Sequence, residues 1–85
     1  MSITNGLYQK QVTNLQLIDG SVSKTYIVLG TCSNNRFLEV GIVPSAIITI
    51  MDKRSDGSMM VNVHGKGRWA IKSEELNCVN VIEKN

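Results

Sequence analysis

Residues 46–82, AIITIMDKRSDGSMMVNVHGKGRWAIKSEELNCVNVI, decide the fold. Three apolar-alternating runs in this stretch are cut by Asp56-Gly57 and by Gly65-Lys66-Gly67. Ala46 to Met51 is almost entirely apolar, with Ile47, Thr49 and Met51 on one side and Ile48 and Ile50 on the other. After the first cut, Met59, Val61 and Val63 alternate with Met60, Asn62 and His64, so one set faces inward and the other outward. After the second, Trp69 and Ile71 point in while Arg68, Ala70 and Lys72 point out. Ser73 can start a helical turn whose positive dipole end suits Glu74 and Glu75, Leu76 closes it, and Cys78 to Ile82 forms a last strand. The pattern predicts an all-β domain with Ile48, Ile50, Met59, Val61, Val63, Trp69, Ile71 and Leu76 in its core.

Upstream, residues 24–31 are rich in β-branched and aromatic types and read as a strand. Residues 36–42, RFLEVGI, read as its returning partner, ended by Pro44, which has no amide hydrogen to give to a ladder. Residues 7–18 suit either a helical stripe or a strand, with strand favoured because the apolar run ends at Asp19-Gly20. Asp-Gly is itself a hairpin signal.

The 85 residues predict one domain, 1–85, with a small core. Hydrophobic residues at 42% and charged ones at 19% exclude intrinsic disorder. The first residues lack the basic start and apolar run of a signal peptide, and no apolar stretch approaches the roughly 18 residues of a membrane span. Cys32 and Cys78 have no zinc-type spacing. These features together predict a cytoplasmic protein with both thiols free in the core. The two-faced run Ala46 to Met51 predicts a homodimer, since one small sheet cannot cover both of its faces.

Nothing points to catalysis. His64 is the only histidine, no nucleophile elbow or Cys-His pair surrounds it, and no cofactor or metal-binding motif is present. Gly65-Lys66-Gly67 lacks the longer spacing and the following Ser or Thr of a phosphate-binding loop and stands between two strands. The feature that suggests a ligand is the charge distribution. Residues 52–72 hold Lys53, Arg54, Lys66, Arg68 and Lys72 against two acidic residues, a local +3, while the rest of the chain has four basic and five acidic residues. With His64, these side chains form a candidate site for a phosphate backbone. No element suited to the major groove of DNA is available, so RNA is the predicted ligand, held through its backbone with little base selectivity. The alternative is a protein–protein interaction module or structural subunit with no nucleic-acid ligand.

The layout of Ile47 to Ile82, above all the run GKGRWAIKSEEL before the last strand, resembles the small Src-homology-3-like barrel. The alternative is an open antiparallel sheet or β-sandwich of similar strands. With only Tyr8, Tyr26, Phe37 and Trp69 as aromatics, the ligand groove of the proline-peptide-binding members is missing. In size and general character the chain also resembles the toxin inhibition factor of T-even bacteriophages. That resemblance implies an RNA-binding inhibitor of a host toxin endoribonuclease, active in antiviral counter-defence in the host cytoplasm, with RNA and a toxin ribonuclease as partners.

Overall fold

The computed structural model describes residues 14–84. Its framework is a six-stranded antiparallel sheet in the order β1-β6-β2-β3-β4-β5. The strands are β1 Leu15–Gln16, β2 Thr25–Thr31, β3 Ile47–Lys53, β4 Met59–Val63, β5 Gly67–Ile71 and β6 Val79–Glu83. A 3₁₀ turn, Leu17–Asp19, follows β1; helix α1, Asn35–Val40, joins β2 to β3; and the short helix α2, Ser73–Leu76, precedes β6. The fold is the small SH3-like barrel that the layout of 47–82 predicts.

The period-two reading of β4 holds: Met59, Val61 and Val63 are buried while Met60 and Asn62 are half-buried. Ile48, Ile50, Ile71 and Leu76 join them in the core. Tyr26, Val28, Val79 and Val81 from β2 and β6 complete it with Leu17 and three residues of the α1 region, Phe37, Val40 and Ile42. Register shifts between Val28 and Gly30 and between Ile50 and Asp52 each add an unpaired residue, which bends the strand and increases its twist. Both tight turns use left-handed glycines, with φ of +90° at Gly57, +86° at Gly65 and +103° at Gly67.

Five expectations are corrected. Residues 36–42 form a helix and its exit, not a strand. Asn34 caps the helix by accepting the Arg36 amide at 2.9 Å on Oδ1, and Gly41 ends it in the left-handed region at φ +84°. Phe37 and Val40, three apart, share its buried face, whereas a strand would have set them on opposite faces.

Asp19-Gly20 makes no hairpin, because β1 pairs with β6 and not with β2. Gly20 has an ordinary φ of −71° and packs closely: a Cβ there would stand 2.5 Å from Ile50 Cδ1 and 3.0 Å from Tyr26 Cε2, so a larger residue would make these side chains shift. Of the ambiguous segment 7–18, residues 7–13 lie outside the described residues, and the rest is β1 and the start of the 3₁₀ turn.

The run 46–51 is deeply covered on one face only. Ile48 and Ile50 are fully buried, Ile47 and Thr49 are half-buried, and Met51 is exposed. Thr49 Oγ1 instead joins a polar row, 2.9 Å from Thr25 Oγ1 and 3.0 Å from His64 Nε2.

Trp69 packs against the core but is only half-buried. β5 is an edge strand, so no further strand covers its outer side. The indole Nε1 is nonetheless shielded from solvent and has no hydrogen-bond partner among the described residues.

Finally, Cys32 and Cys78 are joined as a disulfide, with Cα atoms 5.3 Å apart, and are not free core thiols. One step beyond the Thr31↔Val79 pair of the β2–β6 ladder, the Cys32 amide donates to the Cys78 carbonyl at 3.1 Å. The antiparallel ladder thus places the two side chains opposite each other, which neither residue's sequence neighbours reveal.

Candidate functional site

The structure sets the predicted cations at the two ends of β4. Lys53 pairs across the sheet with Met59, and Met59 with Ile71, so Lys53, Arg54 and Lys72 gather at one end of β4. His64, Lys66 and Arg68 gather at the other, where Val63 pairs with Gly67. A strand rises about 3.4 Å per residue, so five residues set the two groups on the order of 15 Å apart. That exceeds a Debye length of about 8 Å at physiological salt. They therefore act as two small groups rather than one face.

Each group is also tied to local structure. Beside Arg54, Asp56 accepts from the Ser58 hydroxyl at 2.6 Å and the Ser58 amide at 2.9 Å. Those bonds hold its carboxyl below the usual carboxylate value, so a negative charge persists within the first group. Lys72 precedes Glu74 and Glu75, and its amide donates to Glu75 Oε1 at 3.2 Å. His64 is engaged with Thr49. The stem of Lys66 lies over Gly41 at the α1 exit, where a Cβ would stand 2.5 Å from Lys66 Cγ. Arg68, opposite Asn62, is exposed.

A different surface has the shape of a binding site. The segment from the end of β2 through α1 to Pro44 encloses an open groove of about 320 Å³. Phe37 and Ile42 form its buried floor, Val43, Pro44 and Leu38 its apolar rim, and Thr31 to Asn35 its polar wall. Leu38 is 70% exposed, the most exposed of the large apolar side chains described. Helix geometry explains this, since burial of Phe37 and Val40 turns the intervening Leu38 and Glu39 outward.

The groove is held on a fixed frame. Arg36, from the first turn of α1, places Nη2 2.8 Å from the Ala70 carbonyl of β5 and Nε 3.1 Å from Glu75 Oε2 of α2. Glu75 thereby fastens α1, through Arg36, to the segment that leads into β6. On the far side the disulfide ties the polar wall to the start of β6. None of these groove residues was singled out as a site from sequence. The signal that could have found them is the pair of caps, Asn34 and Gly41, which turns Leu38 from a core strand residue into an exposed helical one.

Among the described residues no three His, Cys, Asp or Glu side chains gather as a metal site, and no helix is long and apolar enough to cross a membrane.

No family profile and no curated protein sequence matches the chain. Solved structures do. The crystal structure of an iron uptake regulatory protein, FeoA, is similar with a TM-score of 0.76 at 20% identity, over 85% of this chain and 99% of that one. The solution structure of a FeoA-like protein from Clostridium acetobutylicum is similar with a TM-score of 0.71 at 18% identity, over 80% of this chain and 84% of that one. A manganese-dependent transcriptional repressor gives 0.78 at 14% identity, over 91% of this chain but only 45% of the repressor. At such identities the likeness is one of fold. It agrees with the SH3-like barrel and overturns the reading as an RNA-binding bacteriophage inhibitor of a toxin ribonuclease, which none of these three structures supports.

Proposed function

We propose that this chain is a non-enzymatic protein-interaction domain of the FeoA-like type, which takes part in the regulation of iron uptake by holding a protein partner in the groove beside α1. The observation that carries this reading is Leu38. A large apolar side chain at 70% exposure, on the rim of an apolar-floored groove, gains most when a partner covers it. The likeness to FeoA, which spans nearly the whole of that protein, supports the cellular context.

The test is iron accumulation in cells that normally make the protein. Leu38→Glu changes an exposed position, so its stability stays within about 0.5 kcal/mol of wild type. In cells lacking the gene, reintroduced wild type restores uptake of radioactive iron and Leu38→Glu does not. Equal uptake with and without the protein would refute the role in iron regulation, and full activity of Leu38→Glu would refute the groove.

A further inference from the structure

The groove has one covalent wall. Cys32, which lines it, is exposed, whereas Cys78 is half-buried at the foot of β6. The two ends of the Cys32–Pro44 segment are anchored differently. At its far end Phe37, Val40 and Ile42 are in the core and Ala46 N donates to Val43 O at 2.9 Å, so α1 stays docked whether or not the disulfide exists. At its near end residues 32–34 are held to β6 by one backbone hydrogen bond, Cys32 N to Cys78 O, and by the disulfide. A disulfide buried in the core would be out of reach of a reductant, and one that held the core together would unfold the domain when cut. This one is reachable and peripheral.

We propose that Cys32–Cys78 is a thiol–disulfide exchange site, open to a dithiol reductant in the folded state, which sets whether the polar wall of the groove is fixed or free. A thiolate of the dithiol attacks Sγ of the exposed Cys32. The S–S bond breaks and its electron pair leaves on Cys78 Sγ, which takes up a proton. The second thiolate of the dithiol then attacks the mixed disulfide and releases Cys32 as a thiolate that is protonated in turn. The protein disulfide gains two electrons, and the dithiol loses two and closes to its own disulfide.

The reduced protein keeps its sheet and α1, while residues 32–34 keep only the Cys32 N to Cys78 O hydrogen bond as a tie to β6. The regulatory consequence rests on the groove being the partner site. The exchange itself needs no partner, so its failure and the failure of that reading are separable.

The experiment uses the whole chain, a monothiol and a dithiol. Brief exposure to reduced glutathione, followed by acid quenching and mass spectrometry, locates the mixed disulfide, which is expected on Cys32. The rate of reduction by dithiothreitol is expected to be first order in reductant and flat across urea concentrations below the unfolding transition, as for attack on the native state. After full reduction, backbone amide order parameters are expected to fall below about 0.6 in residues 32–34 and to stay near about 0.85 in β3 and β4. Glutathione found mainly on Cys78, a reduction rate that climbs with urea in step with global unfolding, or order parameters in residues 32–34 that stay at the β3 and β4 value would each overturn the proposal.

Discussion

Phe37→Ala lowers the free energy of unfolding by about 3–5 kcal/mol, whereas Leu38→Ala, one residue on, shifts it by less than about 0.5 kcal/mol. Phe37 is 2% exposed and forms the floor of the groove, while Leu38 is 70% exposed. Deleting the ring removes its burial and leaves a cavity beneath α1 that the short helix, pinned by Arg36 to Ala70 and Glu75, cannot fill by moving. In a domain of this size each kcal/mol is worth about 4–8 °C of melting temperature, so the fall is on the order of 15–30 °C. Val40→Ala also destabilises, since the helix places it on the same buried face. Thermal melts of the three variants check this, and an unchanged Phe37→Ala protein would mean that α1 is not docked as described.

The second large effect is loss of the disulfide. Cys32 and Cys78 are 46 residues apart in sequence. Closing a loop of that size removes chain entropy from the unfolded state worth about 4 kcal/mol at most, and native disulfides commonly return about 2–4 kcal/mol. Cys32→Ser with Cys78→Ser is therefore expected to lower the melting temperature by on the order of 10–25 °C. The variant remains folded at room temperature, because small domains hold about 5–15 kcal/mol. A chemical denaturation curve gives the same quantity as a lower midpoint. A double variant as stable as wild type would show that the two cysteines are not bonded in the folded protein.

Legibility in the sequence followed the length and purity of each pattern. β4 was readable because Met59, Val61 and Val63 alternate without interruption between two glycine turns, and the turns because Gly57, Gly65 and Gly67 stand where a positive φ is needed. Residues 36–42 were not, because Phe37, Leu38, Val40 and Ile42 satisfy both periods over so short a run. The information lay at the ends, in Asn34 and Gly41, rather than in the apolar pattern.

The same limit applied to the site. Lys53 and Lys66 are close in the chain but at opposite ends of a strand, a placement that a local count of charges does not reveal. The disulfide required knowing that β2 and β6, at nearly opposite ends of the described chain, are neighbours in the sheet. Spacing alone could not supply that. The SH3-like layout was legible because it rests on the order of strands and the helical turn before β6, and that order is local.

The most direct test of the interaction reading is a photo-crosslinking amino acid placed at position 38 and, separately, at position 53, in cells that make the protein. Lys53 is exposed on the far end of β3 and stands outside the groove. One discrete protein adduct is expected from position 38, resistant to nuclease and lost with the Phe37→Ala floor, and none from position 53. Adducts from position 53 that nuclease removes, with none from position 38, would contradict the interaction reading.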